Sequence, residues 1–257
     1  MSRTKILMLG GDGGSTRMVF HFLSEHFEVV RCIREQPVPR KQFLQNRAKK
    51  LGWPTVVGQV IFQAGIAPIL KKLAAGRLAE ISRENGLNDT PIPDDKLLKV
   101  NSINDPEAIE IVRQTEADVV VVNGTRILSK RLLAAVSVPI LNTHAGITPL
   151  YRGVHGGYWA LANGDRANCG VTVHLVDAGI DTGGILYQTR IQPTRRDNFA
   201  TYPALQLAAA LPFLKRAVED AAAGRLQTQP APPGESKLWY HPTAWEYLKA
   251  LIFKGIK

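Results

Sequence analysis

The chain has 257 residues, of which 45% are hydrophobic and 21% charged, a composition that excludes long disorder and suits one sizeable core. Thirty-two Lys and Arg against 22 Asp and Glu give a net charge of +10, so the surface attracts anions such as nucleotides, nucleic acid or acidic lipid. Two cysteines, Cys32 and Cys169, are too few for a disulfide scaffold and lack the paired spacing of a zinc site, so no metal is expected and the chain reads as cytoplasmic. No signal-peptide pattern and no membrane-spanning stretch is expected.

The apolar run Ile6–Leu9, the loop Gly10-Gly11-Asp12-Gly13-Gly14-Ser15-Thr16 and the periodic Met18–Leu23 predict strand, glycine loop and helix. Phe27–Ile33 predicts a second strand. Residues 34–96 carry helix-like periodicity without strand alternation and are read as an insertion. Much of the charge excess lies there, where Arg40, Lys41, Arg47, Lys49, Lys50, Lys71, Lys72 and Arg77 recur; the expected reading is a solvated basic face. Strands are predicted at 97–101, 117–123 and 138–142, with helices at 106–115 and 128–136 between them. The unbroken β-branched run at 119–122 fits a strand buried on both faces. Further strands are predicted at 170–176 and 184–191, then a helix at 201–223 whose only breaks are Pro203 and Pro212.

The pattern implies an α/β fold, a doubly wound, mostly parallel sheet over residues 1–229 with a helical insertion. Residues 230–257 form a Pro-rich linker and a short aromatic C-terminal tail. The tail is expected to pack back on the domain, with peripheral membrane contact through it as the alternative.

Ligands in such sheets collect at the carboxyl ends of the strands, and one such end carries Asn142-Thr143-His144. Side chains two apart on extended backbone point the same way, so an amide donor and an imidazole titrating near neutrality face one cleft. Downstream, Asp177-Ala178-Gly179-Ile180-Asp181-Thr182-Gly183-Gly184 sets two carboxylates in a glycine-rich turn. His174 lies within a predicted strand and reads as structural, and Asp177 is placed to cap the turn. The loop Gly13-Gly14-Ser15-Thr16 can cradle a phosphate through its amides and the following helix N-terminus. It lacks both the dinucleotide spacing and the Gly-Lys-Ser/Thr ending of a nucleotide loop.

Asn142 and His144, followed by Asp181 in an Ile-Asp-x-Gly turn, resemble the signature of the formyltransferase family, and Tyr151-Arg152-Gly153 and Ala162-Asn163-Gly164-Asp165 match further family positions. Where the family commonly has Pro-Ser after its His, this chain has Ala145-Gly146. The resemblance implies 10-formyltetrahydrofolate as cosubstrate, with Asn142 and His144 stabilising an oxyanion. Asp181 would either keep His144 charged or relay the amine proton through water. Asn123–Ser129 is similar to the loop whose backbone holds the pterin, making Arg126, Ile127 and Leu128, with Asp177, the expected folate contacts. Gly13, Gly14, Ser15, Thr16 and His155 are the expected contacts of the other substrate.

That substrate is expected to be a small phosphorylated or nucleotide-linked amine, resembling glycinamide ribonucleotide or an amino sugar. No specific nucleic-acid partner is expected, since only net charge points to one. The alternatives are hydrolysis of 10-formyltetrahydrofolate, and a methionyl-tRNA formyltransferase-like enzyme without the usual C-terminal domain.

Overall fold

The computed structural model describes residues 3–257. It opens with β1 (Lys5–Gly10), α1 (Gly14–His26) and β2 (Glu28–Glu35). A helical segment follows, made of α2 (Arg40–Leu51), α3 (Trp53–Ile61), a π turn (Phe62–Ile66), α4 (Ala67–Leu73) and α5 (Ala75–Glu84). Alternation resumes with β3 (Leu97–Val100), α6 (Pro106–Gln114), β4 (Val119–Asn123), α7 (Lys130–Ala135) and β5 (Ile140–His144). The two-residue β6 (Arg152–Gly153), α8 (Gly156–Ala162), β7 (Gly170–Leu175), β8 (Ile185–Arg190) and α9 (Tyr202–Ala222) lead to β9 (Leu238–Trp239) and α10 (Ala244–Lys254).

The main sheet has the order β3-β2-β1-β4-β5-β7-β8. Strands β1 to β5 run parallel, and β7 and β8 are each antiparallel to the neighbour before them. Winding reverses between β1 and β4, the arrangement in which loops at adjacent carboxyl ends splay apart and leave a crevice. Both faces are covered. Ile6, Met8, Val119 and Val121 pack under α1 and α9, while Leu7, Leu9, Val120 and Val122 pack under α6 and α7. Alternate residues of one apolar run therefore serve opposite layers, which is why these strands show no polar alternation.

A third core joins the helical segment and the tail to the domain. Phe62, buried in the π turn, meets Phe199 edge-on at 4.8 Å and Tyr247 of α10 at 5.1 Å between ring centroids. Arg77 of α5 pairs with the buried Asp197 ahead of α9 at 3.0 Å. The tail helix is set by a capping box, in which the Thr243 amide donates to Glu246 at 2.8 Å and the Glu246 amide to the Thr243 hydroxyl at 3.2 Å.

One expectation is corrected. Pro203 and Pro212 do not break α9: Pro203 occupies the first turn, where no backbone donor is needed, and the helix continues through Pro212. Buried Leu207, Leu211, Leu214 and Val218 clamp it on both sides of that residue, so packing overrides the lost hydrogen bond. The run α3, π turn and α4, Trp53–Leu73, matches a bilayer span in length and composition alone. Only one of its sides, through Val56, Gln59 and Phe62, is packed into the domain.

Because Phe62 connects three elements, Phe62→Ala is expected to lower the urea-derived stability by about 3–5 kcal/mol, the range for a truncated core aromatic.

Candidate functional site

A cavity of about 760 Å³ opens at the carboxyl ends of β4 and β5. Its floor brings together Asn142, His144, His174 and Asp181. Asn142 and His144 share a face of β5 as the two-residue period requires, and the antiparallel register sets His174 of β7 directly opposite Asn142. Asp181 reaches them from the β7–β8 turn, where it takes the left-handed conformation, φ 52°, which Asp tolerates better than most residues.

Tyr151-Arg152-Gly153 acts as a bracket. The ring Nε2 of His144 lies 2.6 Å from the Tyr151 carbonyl, the Gly153 amide donates to Asp181 Oδ2 at 2.8 Å, and Arg152 donates to the Ile180 carbonyl at 3.0 Å. A carbonyl only accepts, so Nε2 carries a proton and Nδ1 is the exchangeable position of the ring. That Nδ1 sits 3.3 Å from Asp181 Oδ2. Gly146 is required here, because a Cβ would overlap the Tyr151 carbonyl and crowd Nε2 of His144. The departure from Pro-Ser after the histidine thus has a local physical reason.

The electrostatics are opposed. Burial pushes His144 below its ordinary value, while Asp181 and the Tyr151 carbonyl pull it up. For Asp181, burial favours the neutral acid, but His174, His144 and the Gly153 amide outweigh it and hold the carboxyl below its usual range. His174, read from sequence as structural, lies 3.1 Å from the Asn142 amide nitrogen and 3.7 Å from Asp181 Oδ1. Its Nδ1 lies 2.6 Å from the Leu175 carbonyl, so Nε2 meets the other two partners: in the neutral ring it accepts from Asn142 and fixes which way that amide faces, and in the charged ring it donates towards Asp181.

Of the glycine loop, only Ser15 lines the cavity, with its hydroxyl on Asn123 Oδ1 at 3.0 Å. Thr16 is buried against Asn123, and Gly13 and Gly14 stand away from the floor. The glycines that geometry demands lie earlier: a Cβ at Gly11 would overlap the Gly124 carbonyl where the β1 and β4 loops meet.

On one wall, Arg126 is tied to Glu35 at 2.9 Å and donates to the Gln36 and Asn101 carbonyls at 2.6 and 3.1 Å. Its guanidinium is therefore committed to shaping the loop. Ile127 is 59% exposed at the rim, and Leu128 is buried beneath. Asp177 accepts from the Gly179 amide and the Thr182 hydroxyl, closing its own turn at the cavity edge.

The other wall holds His155 in the left-handed conformation, φ 57°, at the start of α8, 3.0 Å from Nδ1 of His241. His241, in the tail, was not singled out from sequence. Burial depresses His155 to about 4 and His241 to about 3.

Residues 42–205 match the family described as "Formyl transferase". Methionyl-tRNA formyltransferase of Ruminiclostridium cellulolyticum is 30% identical over 123 residues, 48% of this chain and 36% of that protein. The same enzyme of Halothermothrix orenii is 38% identical over 108 residues, 41% and 34% of the two chains. The matches thus span about a third of the length of these curated relatives. Among solved structures, a glycinamide ribonucleotide transformylase from Symbiobacterium toebii superposes with a TM-score of 0.56 at 18% identity, covering 90% of this chain and 92% of that one. A sugar N-formyltransferase from a Shewanella species gives 0.55 at 14%, covering 91% and 76%. At such identities the structures share the fold.

The buried histidine pair gives a pH dependence of stability. Both folded-state values lie below the ordinary 6.5, so the stability they contribute is complete above that value and is lost as pH falls towards about 4 and about 3. The melting temperature is expected to drop as pH is lowered from about 7 to about 4.5, and to drop less in His155→Gln/His241→Gln. Calorimetry showing equal slopes in both proteins would contradict this.

Proposed function

Because the chain belongs to the formyl transferase family, we propose that it moves a formyl group from 10-formyltetrahydrofolate to a primary amine at the Asn142, His144 and Asp181 cluster. The observation that carries this reading is the His144–Asp181 pair, with Nε2 held by Tyr151 and Nδ1 left exchangeable beside a carboxylate. Attack of an unprotonated amine on the formyl carbon makes a C–N bond and an oxyanion. Asn142, steadied by His174, offers its remaining N–H to that oxygen, and His144, once Nδ1 has taken up the amine's proton, adds positive charge beside it. The amine's proton passes to the His144–Asp181 pair, and a proton returns to folate N10 as its bond to the formyl carbon breaks.

The wall formed by the 124–128 loop, with the exposed Ile127 at its rim, suits the flat face of a pterin. Ser15 at the cavity edge, in the first turn of α1, suits a phosphate on the acceptor. We therefore assign the acceptor to small phosphorylated or nucleotide-linked amines. The curated relatives and the net charge of +10 favour a second reading in which the amine is that of methionyl-tRNA. Folate turnover with glycinamide ribonucleotide, nucleotide-linked amino sugars and methionyl-tRNA separates the two. Tetrahydrofolate release dependent on one of the small amines supports the first, release dependent on tRNA alone replaces it, and release without any amine makes the protein a hydrolase.

Asn142→Ala, His144→Ala and Asp181→Ala are each expected to lower kcat by ~10²-fold to 10⁴-fold with the fold retained. Asp177→Ala, which removes only the turn's own cap, should stay within about tenfold of the parent. Near-normal turnover in Asp181→Ala, alongside a large loss in Asp177→Ala, would reverse the assignment.

A further inference from the structure

Exposed apolar side chains concentrate on one side of the molecule. Trp53, Val57, Ile61, Ile69 and Leu73 are between 50% and 77% exposed. Within α3 and α4 they recur every four residues, and the π turn supplies the extra residue that keeps the eight-residue step from Ile61 to Ile69 on the same face. The opposite side is held down, with Phe62 in the third core and the Gln59 amide donating to the His241 carbonyl at 2.7 Å. A run of spanning length is thereby fixed along the surface of the domain.

Helix α10 extends the same surface. Trp245, Leu248, Ile252 and Phe253 are between 44% and 77% exposed, while Ala244, Tyr247 and Ala250 anchor the helix. The two stripes meet at Gly58, where a Cβ would overlap the Trp245 ring, so the apolar face is continuous across α3 and α10. Continuous exposed apolar faces of this kind mark interaction sites rather than ordinary solvent surface.

Charge selects the occupant. From Gln36 to Gly76 the chain has seven Lys and Arg and no Asp or Glu. In α10 Lys249 accompanies the apolar residues, Lys254 being turned to the Ala162 carbonyl, and the one acid, Glu246, is used in the helix cap. Self-pairing of this face would set like charges together with only Glu246, held in its cap, to offset them. An anionic lipid surface offers hydrocarbon to the stripe and phosphates to the lysines.

We propose that the face formed by α3, the π turn, α4 and α10 is a docking surface for anionic bilayers, with the helices lying in the headgroup plane and not crossing it. The test is flotation of the 257-residue chain with vesicles of phosphatidylcholine alone or mixed with phosphatidylglycerol. The protein should float with the mixed vesicles, less so in high salt, and not with phosphatidylcholine alone. Ile69→Gln/Leu73→Gln/Ile252→Gln/Phe253→Gln should reduce partitioning by at least ~10-fold, with circular dichroism unchanged because all four side chains face solvent. Lys71→Glu/Lys72→Glu provides an independent variant with the same expected direction. Absence of partitioning overturns the proposal, as does partitioning that the four-site variant leaves intact. A lipid-free dimer that the variant converts to monomer overturns it too, assigning the face to a second copy of this chain.

Discussion

The site depends on one short contact, from the ring Nε2 of His144 to the Tyr151 carbonyl. It assigns one ring nitrogen to a permanent partner and so leaves the other, Nδ1, as the place where a proton comes and goes. It also fixes the path of the loop from β5 to α8. That path brings the Gly153 amide to Asp181 and the Arg152 side chain to the Ile180 carbonyl. The β5 loop and the β7–β8 turn are thereby joined, and neither carries the arrangement alone. Gly146 permits it by leaving the space that a side chain would fill.

Much of the scaffold could be read from residue patterns, because the sheet's periodicity is local. The run Val119–Val122 is apolar at every position, as a strand covered on both faces must be. Asn142 and His144 sit two apart on a strand, so their common orientation follows from the pleat. Asp181 is different: its meeting with His144 needs a left-handed residue in a turn and a bracket thirty residues away in sequence, and the family resemblance pointed to it where local pattern did not.

What sequence missed is non-local in the same sense. His174 faces Asn142 only because β7 pairs antiparallel with β5 in a particular register; its one signal was a polar residue inside an otherwise apolar strand. His241 reaches the cavity wall because the tail folds back over α8 and α3, and nothing in its neighbourhood announced that. The stops expected at Pro203 and Pro212 failed because packing along α9 outweighs one missing backbone donor. In the helical run Trp53–Leu73 charge and periodicity show only a basic helical segment; its one packed and one exposed apolar side follow from the third core. His241 links these regions, lining the cavity with its ring and holding Gln59 of α3 with its carbonyl.

The assignment of the two ring nitrogens of His144 is tested most directly by nitrogen-15 NMR of histidine-labelled protein across a pH titration, with His144→Gln used to identify the resonances. The account predicts that Nε2 stays protonated throughout and that Nδ1 alone titrates, below the ordinary value of 6.5, with its shift altered in Asp181→Asn. A neutral ring protonated on Nδ1, or a titration indifferent to Asp181, would contradict it.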